Sequence, residues 1–598
     1  MAHSSRIFES QPIAVQNLNG FDLSHINCGT SKCGQLVPVL RKLLMQASKI
    51  SVGAAVNVEL PPLASSFFGR IDFCIELYFV PCAVLYGGWR QFISNQVATM
   101  FPVSQDKVVS AGGYALPVLD LGYLYNAGGS SVHPRTDAGA KAKALDATND
   151  GLADYLGVRM SPVEPSDATA AAPIYINLLP FLAYHKVIDV FYRNCSTTKT
   201  WFAVNPNPSI NTNSATSGDP GSDAFNLTKN VSLIWHSFYT SSPLYGSSGF
   251  TPYQETVSSR VFSTLSEITF PDNVTVLETR QRTYSRDYFV AGSVNPQQGN
   301  PAVLNFTVDA QGDGEISVTG LRAIVALQRF EEKMNYDPSY RGVMRNLIGS
   351  SPSDALLDEP SYIGRLVLPV YQKTVSQNGA VFDSDGTTVV GANSSNPFVN
   401  SGQIGASGAK GSFTGEGQFC KGYKVGCFGY LMGIASIVPH AMYGYGIDRE
   451  MMATEIGDFP FPDLQTVGMD GTYLAEVYAD VDPRDYKNTF NFLPRYSWMK
   501  YIDDSVHGEL RPGKSLDMFV LQRVFNSAPQ FGTDFVTIGQ HDLDAVFAVT
   551  SDVSNFTCWY EIYWVLKVVM PLAAFIMPTL GDLKDVHSIT TTQGGSRL

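Results

Sequence analysis

The chain has 598 residues, of which 44% are hydrophobic, so it is long and apolar enough to bury a large core and is not globally disordered. Only 16% of its residues are charged, against roughly 25% in an ordinary soluble protein, which indicates that much of the surface faces other copies rather than water. The formal net charge of −13 argues against a strongly basic nucleic-acid-binding protein, although a local basic face is compatible with it.

Alternating hydrophobicity predicts strands at several places. Over residues 71–80, apolar side chains alternate with more polar ones, Gly69 precedes the run and Pro81 ends it, which is typical of a strand with one face on a core and one mixed face. Further strands are predicted over residues 52–60, 423–438 (one long twisted strand), 545–549 and 559–569. Many short strands joined by turn-rich loops favour a mainly β fold over a helical bundle.

Helices are predicted at three places. Pro180 suits the first turn of a helix over residues 181–194, in which large apolar residues recur at helical spacing. Two more helices are predicted over 322–335 and 339–348, each followed by a helix-ending Pro or Gly. His185 lies at the edge of the apolar stripe of the first helix, and we interpret it as a packing residue rather than a catalytic base.

Two long segments differ from the rest of the chain in composition. Residues 196–278 are poor in charge but still carry aromatic residues such as Trp201 and Trp235, which linkers lack, so a folded excursion with its own small core is expected. Residues 375–418 are rich in glycine and poor in large apolar groups, which predicts an exposed flexible loop.

Known catalytic signatures are absent from the sequence. There is no Walker loop, no HExxH zinc motif, no GxSxG elbow and no EF-hand loop. We interpret residues 541–544 (His-Asp-Leu-Asp) as a turn with solvated carboxylates, and the acidic pairs Glu331-Glu332 and Asp503-Asp504 as solvated surface. The eight cysteines include no CxxC pair, so they are expected to be reduced, mostly buried thiols rather than a zinc site.

Targeting and membrane signals are also not found. The N-terminal residues lack the apolar core of a secretory signal. The longest apolar stretch, residues 562–577, contains Lys567 and Pro571 and is too short to span a bilayer. These features predict a soluble protein made in the cytosol.

Several blocks of residues, taken in order, resemble the major capsid proteins of the small icosahedral single-stranded DNA phages, the microviruses. No block is specific alone, but together they cover most of the chain outside the two low-charge segments. Residues 42–48 replace the acidic stretch of the family, and Leu182-Ala183 stand where relatives often have an arginine, which indicates a gokushovirus-like or divergent branch. The residues that carry the resemblance are Phe21, Asp22, Leu23, Ser24, His25, Trp89, Asp154, Tyr155, Leu156, Gly157, Pro180, Tyr184, Tyr192, Arg193, Asp287, Tyr288, Phe289, Pro360, Tyr362, Gly364, Pro571 and Pro578.

The resemblance implies a fold and an assembly. The fold is a mainly β, antiparallel eight-stranded jelly roll with long loop insertions and a few short helices, formed as a discontinuous shell domain by residues 1–195 and 279–598. Identical subunits would build a T=1 icosahedral shell around a circular single-stranded DNA genome. The insertion 196–278 is the candidate threefold surface protrusion for host attachment. No enzymatic activity, cofactor or metal is implied.

The implied partners follow from this assembly. They are other copies of the chain, packaged single-stranded DNA, a minor DNA pilot protein and a host cell-surface receptor, without membrane insertion. A small basic internal DNA-binding protein is also expected, because a shell of negatively charged subunits cannot neutralise a genome alone. The protein is expected in the virion, assembled in the bacterial cytoplasm.

Two other classes of protein remain as alternatives. Aromatic-rich loops and low charge would also suit a secreted carbohydrate-binding or carbohydrate-active β-sandwich protein, but that class predicts a signal peptide and usually carboxylates placed for acid–base chemistry. A spike or tail component of a phage is a third possibility, although the ordered blocks belong to the shell protein.

Overall fold

The structure of the chain is a computed structural model. It describes residues 18–61, 67–86, 151–158, 175–198, 276–296, 318–336, 340–349, 359–377, 406–465, 468–543 (with gaps at 481, 483–484, 503 and 540–541) and 558–572, together with positions 89, 93, 116, 118–120, 261–262 and 547.

Strands dominate the described part of the chain. In chain order they are β1 (Asn19–Asp22), β2 (His25–Ser31), β3 (Gln35–Leu44), β4 (Lys49–Glu59), β5 (Ile71–Pro81), β6 (Val118–Asp120), β7 (Tyr175–Asn177), β8 (Val261–Phe262), β9 (Arg280–Gln281), β10 (Ser361–Pro369), β11 (Tyr371–Gln377), β12 (Ala406–Lys424), β13 (Gly429–Pro439), β14 (Met469–Tyr473), β15 (Thr489–Pro494) and β16 (Cys558–Met570).

Helices are fewer and mostly short. The α-helices are α1 (Cys82–Leu85), α2 (Leu152–Tyr155), α3 (Leu179–Phe191), α4 (Val318–Tyr336), α5 (Tyr340–Ile348), α6 (Leu474–Val477) and α7 (Thr533–Val536). Short 3-10 turns lie at Arg449–Met452, Ile456–Asp458, Pro462–Leu464, Ser497–Lys500, Gly508–Leu510 and Asp517–Phe519. The three helices predicted from the sequence correspond to α3, α4 and α5.

Two antiparallel sheets form the body of the protein. In the first sheet the order is β1-β16-β4-β12-β11, with β2 also paired to β16, and in the second it is β10-β5-β13-β3-β9. Eight of these strands run β2-β16-β4-β12 in one sheet and β3-β13-β5-β10 in the other, which is the strand order of a jelly roll. The predicted antiparallel, mainly β fold is therefore confirmed, but the sheets hold six and five strands rather than four each.

The main core lies between the two sheets. Along β16 the buried and exposed residues alternate almost perfectly, so one row of side chains, including the fully buried Trp564, points into this core. Strand β5 faces it with Phe73, Ile75 and Leu77. Burial of apolar side chains holds the two sheets together, and this hydrophobic effect is the dominant favourable contribution to folding.

A second core lies behind the second sheet. The other face of β5 carries Tyr78 and Val80, and these pack with buried residues of helix α3 such as Phe181 and Ile188. Strand β5 is consequently buried along nearly its whole length on both faces. The alternation of residues 71–80 predicted one apolar face and one mixed face. The mixed face is covered by helix α3 rather than exposed to water.

One strand predicted from the sequence differs in the structure. The single twisted strand expected over 423–438 is wrong, because β12 ends in the first sheet and β13 begins in the second, with a corner at residues 425–428. Val425 holds this corner by donating to the carbonyl oxygen of Ser48 at 2.8 Å. The end of β12 is largely exposed and carries Lys421 and Lys424, whereas β13 is buried along its whole length, so the apolar run of the sequence belongs almost entirely to β13.

The flexible loop expected over 375–418 is wrong at both ends. Strand β11 covers 375–377 and β12 covers 406–418, while residues 378–405 lie outside the described residues. The glycines that suggested a loop are needed for packing, because a Cβ on Gly417 would come 2.6 Å from Leu366 of β10. Most of 196–278, and all of 545–549 except 547, also lie outside the described residues.

Candidate functional site

The motif Phe21–His25 joins β1 to β2 along one partner strand, β16. The amide of Leu23 donates to the carbonyl oxygen of Leu566 at 2.8 Å, and the amide of Leu566 donates to the hydroxyl of Ser24 at 3.2 Å. The Asp22 carboxylate accepts from the hydroxyl and the amide of Ser24, and these hydrogen bonds lower its pKa. The motif therefore keeps the N-terminal strand on the sheet through the break between β1 and β2.

The motif in helix α3 anchors the helix to the second sheet. Pro180 lies in its first turn, where its missing N–H costs no hydrogen bond. Tyr184 is fully buried, donates its hydroxyl to the carbonyl oxygen of Leu36 at 2.6 Å and accepts the amide of Arg280 at 2.9 Å. Burial raises the pKa of Tyr184, so the hydroxyl stays protonated and serves as a hydrogen-bonding group.

A buried ionic network centred on Glu76 lies at the other end of this helix. Arg365 and Arg282 approach the carboxylate at 3.2 and 3.4 Å. The hydroxyl of Tyr192 donates to the same carboxylate, and Tyr78 lies 3.2 Å from it. Burial raises the pKa of both tyrosines, so at neutral pH they are donors rather than bases. The network joins β5, β10, the end of α3 and the segment after β9.

The segment 287–289 begins a turn, and its residues Tyr288 and Phe289 pack into the main core. Asp287 accepts the amide of Val290 at 2.7 Å and the hydroxyl of Tyr443 at 2.9 Å, and its burial raises its pKa. Phe289 is buried against the Tyr443 ring, with the ring centroids 4.8 Å apart. Tyr288 is buried beside an open cleft and stacks on Tyr501.

The block Asp154–Gly157 covers the end of helix α2, which contacts β3 of the second sheet and reaches β2 of the first sheet through Tyr155. Tyr155 donates its hydroxyl to the carbonyl oxygen of Thr30 at 2.9 Å, and Leu156 is buried. Gly157 has φ of +93°, a left-handed conformation that glycine adopts without a steric cost. The block thus ends its helix with a turn that only glycine fits easily.

The block Pro360–Gly364 lies at the start of β10. Pro360 is buried, and Tyr362 is 49% exposed with its ring 5.7 Å from that of Tyr78. Gly364 allows close backbone contact, because a Cβ there would come 2.8 Å from the carbonyl oxygen of Phe419. These residues bring the edge strand of the second sheet against β12 of the first.

The remaining motif residues are spread over the molecule. The ring of Trp89 lies 6.1 Å from that of Phe428, between centroids. Arg193 pairs with Asp189 at 2.9 Å. Pro571 follows the end of β16, and Pro578 lies outside the described residues. The sequence motifs are therefore packing and capping residues of the sandwich, and the structure does not bring them together into one pocket.

The two described ends of the segment 196–278 both contact helix α3. At the start, Arg193 donates to the carbonyl oxygen of Thr198 at 2.7 Å. At the return, the fully buried His185 contacts the carbonyl oxygen of Val276 at 3.0 Å, and burial lowers its pKa well below the usual range. His185 is a buried packing residue of the kind expected, and the helix is the anchor from which the segment departs and to which it returns.

Residues 447–464 form an exposed apolar surface that sequence reasoning missed. Met451 and Ile456 are both 80% exposed. The segment is nevertheless held firmly, since Arg449 pairs with the buried Glu476 at 2.8 Å. The exposed large apolar side chains of this 447–464 surface are Ile447, Met451, Ile456, Phe459, Phe461 and Leu464. Such a patch on an ordered segment is typical of a protein–protein contact.

The outer face of the first sheet is a second exposed surface. Trp559, Tyr563 and Val565 alternate with buried residues on β16 and are 38%, 46% and 37% exposed. The period of two that was used to predict this strand also marks these positions as the outward row. Both surfaces carry exposed apolar and aromatic side chains.

No metal or redox chemistry is indicated in the part of the chain that the structure covers. No group of three or more His, Cys, Asp or Glu residues there is placed to hold a metal ion. None of the eight cysteines forms a disulfide, and four of them are buried. Asp542 lies in a turn, as expected, but its carboxylate is not simply solvated, because it accepts the amide of Gly539 at 2.8 Å and the hydroxyl of Tyr284. None of the described helices is long and apolar enough to cross a membrane.

Comparison with known proteins shows which family the chain belongs to. The chain is 19% identical over 559 residues to capsid protein VP1 of Bdellovibrio phage phiMH2K, which covers 89% of this chain and 90% of that protein. The family model described as "Capsid protein (F protein)" matches residues 164–580, well over half of the chain. Both descriptions are of capsid proteins, which are structural components of the virion rather than enzymes. The chain belongs to the phage capsid protein (F protein) family.

Proposed function

We propose that this capsid protein assembles with identical copies into a closed T=1 icosahedral shell that encloses a circular single-stranded DNA genome. The observation that carries the proposal is the 447–464 surface, where side chains as exposed as Met451 and Ile456 sit on an anchored segment. Closed symmetry lets one such patch recur in every subunit, so a modest contact is repeated many times. Burial of apolar area supplies about 25 cal/mol per Å² before the costs of association.

The experiment is assembly of the expressed full-length chain, followed by negative-stain electron microscopy and sedimentation velocity. Closed particles of uniform size are expected for the unaltered chain. The double variant Met451→Glu, Ile456→Glu is expected to remain folded by circular dichroism and to sediment as small species, because charge would have to be buried at each contact. The matched control Met451→Leu, Ile456→Val keeps the apolar surface and should still form particles. If the charged variant assembles as well as the control, the 447–464 surface is not a subunit contact.

We also propose that the insertion 196–278 forms a threefold surface protrusion that contributes to attachment to a host cell-surface receptor. Its support is the uncharged, aromatic-bearing composition of the segment and the anchoring of both its described ends on helix α3. A short strand within it, β8, pairs in parallel with β6, which also pairs with β7 just before helix α3.

The test is a deletion that keeps this strand. Replacing residues 199–260 by a short Gly-Ser linker leaves β8, the return segment and helix α3 in place. Phages that carry the deletion are expected to form normal particles and to lose adsorption to host cells, measured as residual free phage after mixing. Normal adsorption by intact mutant particles would exclude the attachment role, and a loss of particles would show that the segment is structural.

The net charge of the chain predicts which partner lies with the genome inside the particle. With a net charge of −13 per chain, the shell repels the genome on average, so a small basic internal DNA-binding protein is required to neutralise packaged DNA. A minor DNA pilot protein completes the proposed set of partners. Mass spectrometry of purified virions should show such a basic protein at near-stoichiometric amounts, and virions that contain only this chain and DNA would contradict the proposal.

A further inference from the structure

An open cleft lies beside the 287–289 turn. It has a volume of about 450 Å³ and is lined in part by Arg286, Tyr288, Lys500 and Tyr501. The rings of Tyr288 and Tyr501 are nearly parallel, 9° apart, with centroids 6.1 Å from each other. Tyr288 is buried, whereas Tyr501 is 43% exposed. One wall of the cleft is therefore an aromatic stack whose outer ring is accessible.

The exposed charged side chains that line the cleft are positive. Arg286 and Lys500 are both exposed, and neither forms an ion pair with any residue that the structure describes. The acidic residue in the lining, Asp287, already accepts the amide of Val290 and the hydroxyl of Tyr443 at 2.7 and 2.9 Å. The cleft therefore presents two exposed cations on a protein with a net charge of −13.

The turn that carries Lys500 and Tyr501 has an unusual backbone. Tyr496, which precedes the 3-10 turn Ser497–Lys500, has φ of 61° and ψ of 28°, a left-handed conformation that is rare outside glycine. The surroundings hold it there, since its hydroxyl accepts the amide of Phe461 at 3.2 Å and Ser497 donates to the carbonyl oxygen of Pro494 at 2.6 Å. Strained residues that are held by their neighbours are concentrated at binding sites.

We propose that this cleft binds one nucleotide of single-stranded DNA, with Arg286 and Lys500 on the phosphate and Tyr501 stacked on the base. Cationic side chains for the backbone and accessible aromatic rings for the bases are the two elements of sequence-tolerant single-strand binding. A cleft of about 450 Å³ is within the usual range for small-ligand sites. The inference rests on the proposed function, because it assigns the packaged genome as the ligand of this site.

The sequence holds a local signal for the site that is visible once the cleft is known. From residue 495 to 501 the chain reads Arg-Tyr-Ser-Trp-Met-Lys-Tyr, an interleaving of basic and aromatic residues. Arg286 comes from a distant part of the chain, directly before the 287–289 motif, so the sequence alone does not show that the two segments meet.

The first test measures binding of a short fluorescein-labelled oligothymidine to the full-length, unassembled protein by fluorescence anisotropy over a series of NaCl concentrations. The double variant Arg286→Gln, Lys500→Gln should bind more weakly and reduce the slope of log affinity against log salt by about 0.7, since each neutralised phosphate contributes about 0.7 for single strands and the two side chains share one phosphate. Tyr501→Leu should weaken binding about 5- to 150-fold with little change in the slope.

Matched controls are available on the outer face of the first sheet. Lys49→Gln removes an exposed positive charge and Tyr563→Leu removes an exposed aromatic ring, both away from the cleft, so both should bind DNA as the unaltered chain does. Inorganic phosphate and double-stranded DNA serve as competitors. Displacement by phosphate alone at concentrations equal to oligonucleotide phosphate would show a simple anion site and overturn the nucleotide assignment.

The second test uses assembled particles and separates this inference from the proposed function. Particles that contain bromouracil-substituted single-stranded DNA are irradiated, and crosslinked peptides are identified by mass spectrometry. A crosslink at Tyr501 supports the site. Intact, DNA-filled particles without it, together with unchanged affinity of the cleft variants, would overturn the site while leaving shell assembly in place. Failure to form particles would instead contradict the proposed function.

Discussion

Neutralising Glu76 is expected to destabilise the fold strongly, because the residue is the buried anion of an ionic network. The carboxylate lies on the covered face of β5 with its side chain 9% exposed, and Arg282, 13% exposed, has it as an ion partner at 3.4 Å. Glu76→Gln keeps the shape but leaves the Arg282 charge buried without compensation. Breaking a buried pair from one side costs about 3–5 kcal/mol.

The other members of the network set the scale of this prediction. Arg365 approaches Glu76 at 3.2 Å but is 41% exposed, so it can be hydrated and its loss should cost about 1 kcal/mol or less. Tyr192→Phe removes one buried hydroxyl and should cost about 0.5–1.5 kcal/mol. The double variant Glu76→Gln, Arg282→Met should cost less than the sum of its single variants, because removing both partners leaves no unpaired charge.

The assay is urea unfolding of the unassembled full-length chain followed by tryptophan fluorescence, with free energies compared at a common slope. The matched control is Glu561→Gln on the exposed face of β16, which should change stability by less than about 0.5 kcal/mol. If Glu76→Gln is as mild as this control, or if its effect adds fully to that of Arg282→Met, the network is not a compensated buried ion pair and the reasoning fails.

Three further predictions concern the same scaffold. Gly364→Ala should lower stability by about 1–3 kcal/mol in urea unfolding, because its Cβ would come 2.8 Å from a backbone carbonyl oxygen, whereas Gly426→Ala, which meets nothing within 4 Å, should be nearly neutral. Burial lowers the pKa of His185 in the folded state, so at acidic pH the unfolded chain binds one proton more than the folded chain. The free energy of unfolding should therefore be full at about pH 7 and should fall, as the pH drops below about 6.5, by up to about 1.4 kcal/mol per pH unit. The variant His185→Gln should remove this part of the pH dependence, and an unchanged dependence in the variant would contradict the role assigned to His185. Since none of the eight cysteines forms a disulfide, thiol reductants should leave the thermal midpoint unchanged, and a shift would indicate a disulfide.

Much of the fold was predictable because it depends on local periodicity. The alternation over 71–80 and 559–569 predicted strands that the structure places at Ile71–Pro81 and Cys558–Met570, in the two facing sheets. The helix predicted over 181–194 is observed at Leu179–Phe191. A period of two or of 3.6 residues is a property of neighbouring positions, so it can be read without knowing what the element packs against.

The elements that were wrong depend on distant partners. Residues 406–418 look like a loop because they are rich in glycine, yet Gly417 is small because Leu366 of β10 occupies the adjacent space. The corner at 425–428 separates the exposed end of β12 in one sheet from the buried apolar run of β13 in the other. Glycine content and hydrophobicity are properties of the sequence, and they do not show which distant residues pack against a given segment.

For the functional surfaces, the sequence by itself determined that the chain is a low-charge, strand-rich protein whose ordered motifs resemble those of a shell-forming family. The tertiary structure alone decided that Glu76 is a buried partner of arginines from two other segments, that 447–464 is an exposed apolar surface, and that Arg286 shares a cleft with Lys500. The physical reason is that burial, ion pairing and a shared cleft are relations between residues far apart in the chain, and they exist only once the sheets and their covering segments have packed.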